Sequence, residues 1–60
     1  MTISLDAMGG DKAPEVVIQG VQIARTRLPH VQFLLFGDQA KLEPLLDRMP
    51  DLRTCCQVRH

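Results

Sequence analysis

Tryptophan and tyrosine are absent from this 60-residue chain, and the only aromatic residues are Phe33 and Phe36. A surface with so little to stack on nucleobases is poorly suited to single-stranded nucleic acid. Nor is there an excess of charge of one sign. Seven basic and seven acidic residues cancel, and they are scattered, which argues against the basic patch of a nucleic-acid or polybasic membrane-binding surface. No apolar run approaches the eighteen or so residues that a spanning helix needs. Met1 leads straight into a strand pattern without the charged, apolar and cleavable regions of a signal peptide. The cytoplasm is the expected compartment.

Cysteine is scarce too. The two present, Cys55 and Cys56, are adjacent. Side chains of neighbouring strand residues point to opposite faces, so a disulfide between them would strain the backbone. Cys-x-x-Cys spacing is missing, and His30 and His60 stand alone, which leaves no zinc-site pattern. The plain expectation is two reduced, partly buried thiols. Nothing staples the fold, and a domain this small buries only about 60% of its unfolded surface. The isolated chain is expected to be marginally stable.

What is present is an alternation of strand and helix patterns. Thr2-Ile3-Ser4-Leu5-Asp6 reads as a strand. Pro14 suits the first turn of a helix over 14–28, where its missing N–H is not needed. On a helical wheel, Val16, Val17, Gly20, Val21, Ile23, Ala24 and Leu28 fall within roughly 160°, a core-facing stripe from which Ile18 is excluded. Gly20 in mid-stripe suggests close approach of helix to sheet. A second strand spans 31–36, and its near-continuous apolar run fits a parallel strand covered on both faces. Asp38 is a good cap for a helix over 39–49, in which Leu42, Leu45, Leu46 and Met49 show helical spacing. Pro44 would remove one hydrogen bond inside it. Pro50-Asp51 ends that helix, and a third strand runs over 54–59. Strand, helix, strand, helix, strand is a βαβαβ portion of an α/β sheet, with parallel strands and right-handed crossovers. No internal boundary divides residues 1–60, which read as an incomplete N-terminal part of one α/β domain.

In an open parallel sheet, ligands bind beyond the carboxyl ends of the strands. That edge collects Asp6, Gly9, Gly10, Asp11 and Lys12 after the first strand, Gly37 and Asp38 after the second, and His60 after the third. Glycines let a ligand approach the main chain, and the N-terminus of the following helix offers N–H donors to an anion. Gly-x-Gly-x-x-Gly and the P-loop pattern are both absent. A bare Gly-Gly between strand and helix is more often a tight turn than a cradle. Asp6 and Asp11 would repel an anion unless offset. Asp6 and Asp11 also suit backbone capping, Asp38 a helix cap, and Lys12 a solvated surface. Read on its residues, the chain is an α/β unit with a candidate anion-binding loop.

The stretch "DAMGGDKAPEVVIQG", followed by "FLLFGD", "LEPLL" and the histidine after strand three, closely resembles the PlsX family. These are the acyl-carrier-protein-dependent phosphate acyltransferases of bacterial phospholipid synthesis. The resemblance spans essentially the whole chain, with departures at Cys55-Cys56-Gln57, where the family strand is more aliphatic, and in length. It implies transfer of a fatty acyl group from acyl carrier protein to inorganic phosphate, with neither cofactor nor metal. It further implies a homodimer with an isocitrate/isopropylmalate dehydrogenase-like three-layer α/β/α sandwich, whose product passes to a membrane glycerol-phosphate acyltransferase. By that resemblance, peripheral membrane association would come through parts outside these residues. Two other readings stand beside it: a related metal-dependent decarboxylating dehydrogenase, and a truncated, non-catalytic piece.

Overall fold

The computed structural model describes residues 1–10 and 13–60. The element order is β1 (Thr2–Asp6), α1 (Glu15–Arg27), β2 (Gln32–Phe36), α2 (Gln39–Asp47), α3 (Pro50–Arg53) and β3 (Cys56–Arg59). The three strands form one parallel sheet in the order β1-β2-β3. The expected βαβαβ order and parallel pairing are therefore borne out.

Register decides which face is the core. Ile3 pairs with Phe33 and Phe33 with Cys56, while Leu5 pairs with Leu35 and Leu35 with Val58. Directly paired residues of a parallel sheet share a face. These six are buried or half-buried, and Phe33, Leu35 and Cys56 join one core cluster with Ile18, Val21, Leu42, Leu46 and Leu52 from the helices. The alternate residues Thr2, Ser4, Gln32, Phe36, Gln57 and Arg59 are exposed. All the helices thus lie on one face. Two right-handed crossovers that step the same way along a sheet must do this. The expected cover on both faces of β2 is not present among the described residues, and Phe36 is 44% exposed on the open side.

Helix α1 turns a different flank to the core than its apolar residues suggest. Pro14, Ile18 and Val21 are buried, with Val17, Ala24 and Arg25 half-buried. Val16, Ile23 and Leu28 are exposed at 52%, 62% and 48%. Ile18, expected outside the stripe, is fully buried in the core. Gly20 is exposed, and a Cβ there would meet nothing within 4 Å, so it serves no close approach. The cause is position. Helix α1 meets α2 on one side only, so the flank carrying Val16, Gly20 and Ile23 has no neighbour among the described residues. An apolar groove of about 340 Å³, lined by Ile3, Leu5, Val17, Gly20 and Ala24 among others, runs along that flank.

Helix α2 follows its pattern, with Leu42 and Leu46 buried and Leu45 half-buried, but ends at Asp47, so Met49, also half-buried, stands before the next helix. Pro44 lies within α2 and is exposed. The carbonyl of Ala40, which loses its helical donor, is on an exposed residue where water can reach it. Pro50 does not simply end this helix, as the sequence suggests. It opens the one-turn helix α3, consistent with the preference of proline for a first helical turn. Leu52 anchors α3 in the core. The Arg53 guanidinium donates to the Asp47 carboxylate and, at 3.3 Å, to the Glu43 carbonyl, and lies 2.5 Å from Glu43 Oε2. These contacts tie α3 to α2, and the hydrogen bonds to Asp47 and then Glu43 raise the pKa of Arg53.

Candidate functional site

Strand β1 delivers its chain to the carboxyl edge, and backbone bonds continue past the strand ends. Ala7 N–H donates to the Phe36 carbonyl and Gly37 N–H to the Arg59 carbonyl, each at 2.9 Å. The residues that follow the three strands are thereby held side by side. Ala7 is fully buried and Met8 half-buried. Gly9 and Gly10 are exposed.

The carboxylate of Asp6 is directed at its own loop. Oδ1 accepts from Met8 N–H at 2.9 Å, an Asx turn that bends the chain as soon as the strand stops. A Cβ on Gly9 would stand 3.2 Å from Asp6 Oδ2. Gly9 therefore leaves space beside the second carboxylate oxygen. Gly10 has φ +96°, and no described residue comes within 4 Å of a would-be Cβ. Its requirement is conformational, since that backbone region is open chiefly to glycine. The plain capping role considered for Asp6 is what the geometry displays.

The second loop is occupied by packing. A Cβ on Gly37 would lie 2.9 Å from Met8 Cγ and 3.2 Å from Leu42 Cδ1. Gly37 is thus the seat of Met8. Asp38 caps α2, its Oδ1 accepting from Ala40 N–H at 2.9 Å while its carbonyl receives Leu42 N–H at 3.0 Å. His60 follows β3 and is exposed. The structure brings Asp6, Gly9, Gly10, Gly37, Asp38 and His60 to one edge, and assigns structural contacts to Asp6, Gly37 and Asp38. Asp11 and Lys12 lie outside the described residues. Met8 was missed in the sequence. Its only signal was an apolar residue inside an otherwise small and polar loop.

Helix α1 begins behind this loop. Pro14 occupies its cap position without a side-chain cap, and Ile18 N–H reaches back to the Pro14 carbonyl at 3.1 Å. The N–H groups of the first turn have no intrahelical acceptor. Among the described residues, no group of three or more His, Cys, Asp or Glu could hold a metal ion. No helix among them is long and apolar enough to cross a membrane.

A model of the family described as "Fatty acid synthesis protein" matches residues 1–60. The chain belongs to that family. Among its relatives in the fatty acid synthesis protein family, "Phosphate acyltransferase" of Paramagnetospirillum magneticum is 55% identical over 60 residues, all of this chain and 17% of the relative. The protein of the same name from Rhodospirillum rubrum is 52% identical over the same 60 residues, again 17% of its length. That from Azorhizobium caulinodans is 53% identical over 58 residues, 97% of this chain and 16% of the relative. The chain thus spans about 17% of the length of the curated relatives it matches. No solved structure matches it.

Proposed function

We propose that the full-length protein carrying this chain is a phosphate acyltransferase, moving an acyl group from the thioester of acyl carrier protein to inorganic phosphate. The observation that carries this reading is the end-to-end match to proteins of that name. The loop geometry supports it. A phosphate oxygen attacks the thioester carbonyl, the carbonyl oxygen takes the charge of the tetrahedral intermediate, and the carrier's thiolate leaves. Phosphate is already an anionic nucleophile, so the protein's task is to position it and to supply donors for the developing oxyanion. The N–H groups of Ala7 and Met8 are spent on Phe36 and Asp6. Donors to an anion therefore fall to Gly9, Gly10 and the first turn of α1, whose dipole favours negative charge. Asp6 opposes an anion less than its charge implies, because one carboxylate oxygen is held by Met8 N–H. Lys12 is the cation this reading adds to the loop.

The same reading assigns the complete protein a three-layer, isocitrate/isopropylmalate dehydrogenase-like fold, a homodimer and a cytoplasmic location. Its product would serve a membrane glycerol-phosphate acyltransferase. The uncovered sheet face is in keeping with a further helical layer. The test is an assay of the full-length protein with acyl-[acyl-carrier-protein] and radiolabelled phosphate, following free carrier thiol and label in acyl phosphate separated from phosphate. Carrier thiol and labelled acyl phosphate should appear together, and only when phosphate and the acyl carrier thioester are both present. Release of free fatty acid without labelled product, or carrier release that does not depend on phosphate, would overturn the assignment.

A further inference from the structure

We propose that Cys55 and Cys56 form a two-sulfur site for trivalent organoarsenicals, with one arsenic atom bridging both thiols. The sequence suggests that the two side chains diverge, as neighbours in a strand do. They do not, because β3 begins only at Cys56. Cys55 lies in the turn after α3, its N–H bonded to the Leu52 carbonyl at 3.1 Å. Both side chains are consequently in the core, at 6% and 8% exposure. Their sulfurs are 3.9 Å apart, and Cys55 Sγ lies 3.6 Å from the Leu52 carbonyl. With the Cys55 proton directed to Leu52, Cys56 is the donor between the two sulfurs.

The spacing selects the chemistry. A disulfide needs its sulfurs at about 2.05 Å, so the pair would have to close by nearly half of its 3.9 Å separation. A single intervening atom with bonds of about 2.3 Å to each sulfur, the length of a zinc–thiolate bond, spans the gap without that closure. Zinc itself wants four ligands, and the described residues offer no group of three. An aryl- or alkylarsenic carries its own carbon substituent and needs just two sulfurs. Thiols are the soft ligands that such a centre prefers.

The step balances without an oxidant. The As–O bond of an organoarsenic oxide and two S–H bonds break, and two As–S bonds form. Both thiol protons leave with the oxide oxygen as water, and arsenic stays trivalent. Entry requires opening of the turn that follows the one-turn helix α3, a short element of the kind that opens at low cost. Burial and the neighbouring Cys55 push the Cys56 thiol up to about 12, so the reaction is slower than with an exposed dithiol. The pair lies at the start of β3, Cys55 in the turn and Cys56 in the strand, at the edge opposite the Gly9-Gly10 loop. The adduct should therefore act through the packing of α3 and β3.

The experiment treats the full-length protein with phenylarsine oxide and follows intact mass and peptide maps. One phenylarsine group should map to the Cys55–Cys56 peptide and disappear in both Cys55→Ala and Cys56→Ala. Dithiothreitol should release it at least tenfold faster than a monothiol at equal thiol concentration. Should either variant fail to fold, the peptide map and the release ratio on the unaltered protein decide the matter. Absence of adduct at this peptide after hours, or equal release by monothiol and dithiol, would overturn the proposal.

Discussion

Met8 rests on Gly37: a Cβ added to Gly37 would stand 2.9 Å from Met8 Cγ and 3.0 Å from Met8 Cε. Two loops distant in sequence are thereby locked together at the edge where the candidate site lies. Gly37→Ala should force Met8 aside and cost about 1–3 kcal/mol, the usual range for overpacking. Met8→Ala in the same chain should recover part of that loss, because the added methyl would then have room. A double-mutant cycle of melting temperatures in the full-length protein measures the coupling. Additive effects would mean that the two residues do not meet.

Gly10 asks for a different test. Its φ of +96°, with no described residue near a would-be Cβ, makes Gly10→Ala a matter of backbone strain, about 1–2 kcal/mol. Lost turnover in that variant would mix strain with site damage. Gly9→Ala is the cleaner probe, since among the described residues its Cβ would meet only the Asp6 carboxylate, at 3.2 Å. If the loop receives the reacting anion, this variant should lower kcat/KM for phosphate by about tenfold, or 1.4 kcal/mol, with little change in melting temperature. Unchanged phosphate kinetics would reduce the loop to a turn.

Asp6 can be divided into an acceptor and a charge. Asp6→Asn keeps an oxygen for Met8 N–H, whereas Asp6→Ala removes it. The alanine variant should lose about 0.5–1.5 kcal/mol of stability and the asparagine variant less. If the carboxylate serves only the turn, Asp6→Asn should bind phosphate as well as or better than the parent, having lost a repelling charge. A large fall in kcat for Asp6→Asn with intact stability would instead give the charge a part in the reaction.

Cys56 links stability to pH. Burial, then the Cys55 sulfur, push its thiol from an ordinary 9.0 up to about 12, with Arg25 acting weakly in the other direction. The folded state therefore holds the thiol proton more tightly than the unfolded chain does. Its contribution is fully present below about pH 9 and is lost as pH rises toward about 12. Denaturant midpoints measured between pH 8 and 10.5 should fall on the alkaline side, and less steeply in Cys56→Ala. A flat profile shared by both proteins would remove Cys56 from the account.

Much of this was legible in the sequence, for physical reasons that differ by residue. The strands were readable because alternation and apolar runs report burial directly, and β1 and α2 begin where expected. Helix α1 was misread at Ile18 because a wheel counts apolar residues without knowing how many sides have neighbours. With α2 on one side only, Val16 and Ile23 stay in solvent although they widen the apolar arc. Helix α3 escaped because four residues make a single turn, too few to show a period. Topology places Gly37 and Asp38 at the candidate edge, and the cap that Asp38 forms was readable from its place before a helix pattern. The seat that Gly37 gives Met8 was not, because it joins loops distant in sequence.

The sheet order β1-β2-β3 matches the order of synthesis. β2 pairs with the strand made just before it, and so does β3. Each pairing joins strands consecutive in the chain, so loop closures stay short and their entropy is lost in small instalments. The growing chain can add one βα unit at a time, with the Gly9-Gly10 turn made before the strand that β1 pairs with.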